Sequence, residues 1–107
     1  MLEVAHEIFN KLVRDKIPEI IRKNGETATV RILSDEEYKR ELDIKLQEEV
    51  KEYLTEDNIE ELADIEEVLR ALVVLKGVTY EDFDRMRETK CKKRGSFKDK
   101  VFLESTQ

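Results

Sequence analysis

Between Ser34 and Gly77 the apolar residues recur at helical spacing, and the pattern breaks only at TEDN (55–58). Before the break the series is Tyr38, Leu42, Leu46, Val50, Tyr53 and Leu54; after it come Ile59, Leu62, Ile65, Leu69, Leu72 and Val73. Each series marks one stripe of an α-helix. Ser34 opens SDEE with Glu37 three residues on, the pattern of a capping box, and Asn58 with Glu61 repeats it after the break. The spacing predicts a helix over roughly 35–54 and another from Ile59 that Gly77 ends. A connection this short turns the second helix back along the first, an antiparallel hairpin.

The rest of the chain supplies smaller pieces. Pro18 suits the first turn of a short helix terminated by Asn24 and Gly25, and Thr79 with Asp82 starts a fourth helix that carries Phe83 and Met86 and ends near Gly95. TATVRIL (27–33) alternates β-formers, with KVFLE (100–104) as its partner in a two-stranded ribbon. With 3 Gly, 1 Pro and 43% charged residues, the composition favours long amphipathic helices over turn-rich sandwiches. The expected fold is mainly α, an antiparallel helix-hairpin bundle with a small β ribbon. At 107 residues it forms one domain, 1–107, without repeats or linkers. A chain this short buries a modest core, and ALVVL (71–75) is apolar nearly all round its helix, so a homodimer is expected. Tyr53, Tyr80, Phe83, Phe97 and Phe102 are expected in the core or in that interface.

Several classes of function are excluded or disfavoured. Cys91 is the only cysteine, so no intrachain disulfide forms, and the lone thiol fits a reducing compartment. The N-terminus carries Glu3 and Glu7 where a signal peptide needs a basic start and an apolar run, and ALVVLKGV is too short to span a bilayer. These features point to a soluble, cytoplasmic protein with no membrane partner. His6 is the only histidine, which disfavours a di-iron bundle and leaves His6 as a surface residue. No glycine-rich phosphate loop is present.

The formal charge of -6 is unevenly spread. Residues 34–69 hold 15 acids and 4 Lys/Arg, whereas residues 84–100 hold 3 acids and 8 Lys/Arg. At about 100° per residue, Glu61 projects within the apolar arc of its helix with Asp64 at the edge, and Glu49 lies beside Leu42 at the edge of the preceding helix's arc, with Glu52 further round. The hairpin turns these i, i+3 pairs toward each other. Converging carboxylates cannot pair among themselves, so either a cation joins them or several protonate. Hard oxygen donors without His or Cys suit Mg²⁺, with Mn²⁺ as a substitute, bridging to substrate phosphates. The bland alternative is a set of rim acids bonded to Lys and Arg across the bundle.

The order E-E-x-x-E then E-x-x-D, read here as Glu48, Glu49, Glu52, Glu61 and Asp64, resembles the signature of the MazG-like all-α nucleoside triphosphate pyrophosphohydrolases. The opening KLVRDKIPEII and the tail KKRGSF…VFLE resemble a small branch of that superfamily described as phosphoribosyl-ATP pyrophosphohydrolase-like or house-cleaning proteins, so the likeness runs along nearly the whole chain. It implies hydrolysis of a nucleotide between its α and β phosphates to a monophosphate and pyrophosphate, on a helical scaffold that is dimeric or higher. Carried over by position, the metal ligands are Glu49, Glu52, Glu61 and Asp64. Glu48 matches the first acid of the motif, either as a base or outer group orienting a water, with Glu49 beside it, or as a solvated residue. The gap between Glu52 and Glu61 is shorter than the family commonly shows, which bears on how bulky a base the pocket admits.

The cations complete the expectation. Lys90 and Arg94 are i, i+4 neighbours that share a face of the fourth helix, with Lys93 next to it, and similar positions contact phosphate in family members. Lys11, Arg14 and Lys16 close over the nucleotide from the N-terminal side. Binding of nucleic acid is disfavoured, because the acidic hairpin repels a polyphosphate backbone. Two rivals stand beside the nucleoside triphosphate reading: the phosphoribosyl-ATP step of histidine synthesis, and a non-catalytic helical dimerisation module.

Overall fold

A computed structural model describes residues 7–107. Among these residues the regular structure is entirely helical: α1 (Ile17–Lys23), α2 (Asp35–Glu56), α3 (Ile59–Leu75) and α4 (Tyr80–Arg94). The chain forms two compact units, one reaching to Leu72 and one of Val73–Gln107. His6, expected at the surface, lies outside the described residues.

The helix boundaries follow from the capping chemistry in the sequence. Pro18 occupies the first turn of α1, where its missing N–H costs nothing, and Asn24 caps the C-terminal end before Gly25 turns at φ 84°. At the start of α2 the Glu37 N–H donates to the Ser34 hydroxyl oxygen, and the Ser34 N–H donates back to the Glu37 carboxylate. Arg31 reaches the same carboxylate at 2.8 Å, and that contact with the Ser34 N–H holds the Glu37 carboxyl down at about 2. The Thr79 hydroxyl likewise accepts from the Asp82 N–H to open α4.

The break at TEDN is tighter than its composition suggests. Asp57 adopts the left-handed conformation at φ 51° and ends α2, a position usually given to Gly or Asn but open to Asp because its short side chain tolerates it. The next residue, Asn58, already caps α3 by accepting from the Glu61 N–H at 3.1 Å. Only two residues therefore separate the helices, and α3 returns alongside α2. Glu49 lies about 12 Å before Asp57 along α2, and Asp64 about 10 Å beyond it along α3, at 1.5 Å of rise per residue. The two acids thus sit at nearly the same level of the hairpin. Leu42, 3% exposed, and Val68 are the buried apolar residues among those described in this unit, and Glu49 is buried as well at 8%.

The expected β ribbon is absent among the described residues. Residues 27–33 and 100–104 carry no strand, and Ile32 is 93% exposed. An isolated pair of short strands is marginal in water unless it packs a face on something, and the outward-facing Val30, Ile32, Val101 and Phe102 have no such cover. Phe97 and Phe102 are accordingly not core residues of the chain, Phe97 being 99% exposed. Tyr53, Tyr80 and Phe83 are half-buried, and the Tyr80 and Phe83 rings sit 5.8 Å apart in a tilted arrangement. Within ALVVL, Val73 is buried and Val74 largely exposed.

Candidate metal centre

The acids of α2 and α3 converge on one spot. One carboxylate oxygen each from Glu49, Glu61 and Asp64 lies within 4.8 Å of the others. Around a cation bound at about 2.1 Å, two ligand oxygens are at most roughly 4.2 Å apart, so side-chain movements of under an ångström close the set. Among the described residues, Glu49 Oε2 and Glu61 Oε2 are buried and accept no hydrogen bond. A buried carboxylate oxygen without a donor is costly, and both of these belong to the cluster.

The electrostatics agree with that geometry. Burial pushes the Glu49 carboxyl above the ordinary range, with the charges of Glu52 and Asp64 adding to it and Lys45 working against them. Burial likewise raises Glu61, reinforced by Glu52, Asp64 and Glu49. Glu49 and Glu61 therefore both suffer from the neighbouring carboxylates, and a cation beside them relieves both at once. The donor set is oxygen alone, which suits Mg²⁺ or Mn²⁺ and not the softer metals that take Cys or His.

The remaining sequence-derived candidates fall in different places. Glu52 is exposed and lies outside the three-acid group, yet it is close enough to raise both Glu49 and Glu61. Glu48 is half-buried and held by cations, with Lys11 Nζ at 3.6 Å and Lys45 Nζ at 3.7 Å. Arg14 donates to Asp64 at 2.7 Å, so two of the three N-terminal cations sit directly on hairpin acids. Lys16 instead occupies the N-cap position of α1, where its carbonyl accepts from the Ile20 N–H. Lys90, Lys93 and Arg94 lie exposed on the last turns of α4, in the second unit.

Two features escaped the sequence reading. Lys45 is mostly buried and reaches Glu49 at 3.6 Å as well as Glu48; the i, i+3 and i, i+4 spacing that permits this was visible in K-L-Q-E-E. Glu49 is also more deeply placed than Glu61, the reverse of the helical-wheel ranking. A wheel places a side chain relative to its own helix, whereas burial depends on which neighbour the hairpin lays over it.

Comparison with known proteins adds one relation. A protein of Mycolicibacterium smegmatis described as uncharacterized is 55% identical over 47 residues, which are 44% of this chain and 48% of that protein. The chain thus spans about half the length of the relative it matches. No family model matches the chain, and no solved structure matches it.

Proposed function

We propose that the protein is a divalent-cation-dependent nucleotide pyrophosphohydrolase of the MazG-like kind, cleaving a nucleoside triphosphate between its α and β phosphates to a monophosphate and pyrophosphate. The observation that carries this reading is the meeting of Glu49, Glu61 and Asp64 within 4.8 Å, with the buried oxygens of Glu49 and Glu61 left without donors. The order of these acids in the sequence, together with KLVRDKIPEII and KKRGSF…VFLE, supports the same assignment.

Glu49, Glu61 and Asp64 would hold Mg²⁺, with Glu52 joining them when its exposed side chain turns inward. When bound, the cation supplies charge neutralisation for the phosphates and acidifies a water. Glu49 is kept in place by burial, so its carboxylate is aimed before any ligand arrives, which lowers the reorganisation needed at the moment of reaction. Glu48 lies beside it on α2, held by Lys11 and Lys45, where it can accept a proton from the attacking water. For Lys90, Lys93 and Arg94, which belong to the second unit, contact with phosphate rests on the family resemblance alone. Such chemistry belongs in the cytoplasm.

A homodimer belongs to the same proposal. Leu54 and Ile59, both more than two-thirds exposed beside the turn of the hairpin, are large apolar side chains that a second copy would cover. The non-catalytic module remains the alternative from another class, because hairpin acids paired with Lys11, Arg14 and Lys45 also fit a solvated rim.

A panel of ordinary and damaged nucleoside triphosphates together with phosphoribosyl-ATP, each incubated with the protein and Mg²⁺ and assayed for released pyrophosphate, tests the proposal. At least one compound is expected to yield pyrophosphate in amounts that fall to background when the cation is chelated. Release from none of them, or release indifferent to chelation, rejects it.

A further inference from the structure

Ahead of α1 the chain lies against the hairpin through two ion pairs. Lys11 Nζ stands 3.6 Å from Glu48 on α2, and Arg14 Nη2 donates to Asp64 Oδ1 on α3 at 2.7 Å. The two contacts differ in consequence. Glu48 is outside the three-acid group, so Lys11 can stay where it is whatever the group binds. Asp64 is a member, and one of its two carboxylate oxygens, Oδ1, accepts a charge-assisted hydrogen bond from Arg14. A guanidinium and a divalent cation on one carboxylate share its single negative charge, and their like charges repel.

The backbone around Arg14 favours movement of the side chain alone. Its carbonyl accepts from the Ile17 N–H at 3.0 Å, which ties the residue to the first turn of α1. The side chain itself is more than half exposed, so it can swing without opening any packed core. Its planar fork of donors matches a phosphate as well as a carboxylate.

We infer that Arg14 exchanges partners, holding Asp64 until a divalent cation takes that carboxylate and then presenting its guanidinium to a phosphate of the incoming nucleotide. The inference rests on the cation-dependent reading above and adds an order of events to it, because the same group that shields the acids becomes a phosphate contact. Lys11 on Glu48 keeps the segment in place throughout, so Arg14 need not travel far.

Calorimetric titration of the full chain with Mn²⁺ alone, without nucleotide, tests this. Arg14→Gln is expected to bind Mn²⁺ about threefold to tenfold more tightly than the wild type, a modest factor because the pair is partly exposed. Arg14→Lys, which keeps the charge, is expected to stay near the wild-type affinity. In the presence of Mn²⁺, Arg14→Gln is expected to bind a non-hydrolysable nucleoside triphosphate analogue more weakly than the wild type. Equal or weaker Mn²⁺ binding by Arg14→Gln overturns the exchange while leaving the cation site standing. If neither the wild type nor the variant binds Mn²⁺, the site reading itself fails and the exchange falls with it.

Discussion

Glu61→Gln is expected to lower Mg²⁺-dependent pyrophosphate release about 100-fold or more, since a ligand to a catalytic cation carries several kcal/mol of transition-state stabilisation and each ~1.4 kcal/mol is tenfold in rate. The same substitution is expected to raise, not lower, the melting temperature of the cation-free protein. Glutamine keeps the shape of glutamate and removes a charge that burial, Glu52, Asp64 and Glu49 all disfavour. Steady-state assays and circular-dichroism melts read the two effects separately. Wild-type turnover in the variant would remove Glu61 from the site, and loss of turnover with a collapsed melt would mark it as structural.

Mg²⁺ is expected to stabilise the fold strongly. A cation that binds only the folded chain adds about 2.7 kcal/mol at a hundredfold excess over its Kd, which for a domain of this size moves the melting temperature by roughly 10 °C. The shift depends on pH with a definite sign. Glu49 and Glu61 have carboxyls raised above the ordinary value of 4.5. In the cation-free protein their contribution to stability is therefore fully present below that value and is lost as the pH rises through the raised folded-state values. Binding needs the carboxylates ionised, so the Mg²⁺-induced shift is expected to be largest above those raised values and to vanish as the pH falls through them. Melts indifferent to Mg²⁺ at every pH would favour the non-catalytic helical module.

Local chemistry was the legible part of the fold. Ser34 with Glu37, Thr79 with Asp82 and Asn58 ahead of Glu61 each announce a helix start through a side-chain oxygen facing an unpaired N–H, and all three bonds form. The hairpin followed because TEDN leaves no room for another path, although the left-handed Asp57 that makes it so tight had no distinctive signal. The ribbon of 27–33 with 100–104 failed for a non-local reason. Alternation describes what a strand would look like, but whether Ile32 and Val101 find a surface to cover depends on packing that spacing does not encode.

The acids of the site were legible as a pattern and less so in their ranking. The i, i+3 spacing put Glu61 and Asp64 on one face of α3, and the hairpin brought Glu49 to them. Which of them lies deepest was set by how α3 lies on α2, and this made Glu49 the buried member. Lys45 and Arg14 show the other gap. Their charges were visible, but their attachment to Glu49 and Asp64 depends on where a neighbouring turn or segment places a long side chain.

Anomalous diffraction from crystals soaked in Mn²⁺ decides whether a cation sits among Glu49, Glu61 and Asp64. One strong peak is expected between α2 and α3 within about 2.2 Å of oxygens from Glu49, Glu61 and Asp64, with the Arg14 guanidinium displaced from Asp64. No peak at that position in well-ordered crystals, with Arg14 still on Asp64 and the Glu49 and Glu61 carboxyls unchanged, would contradict it.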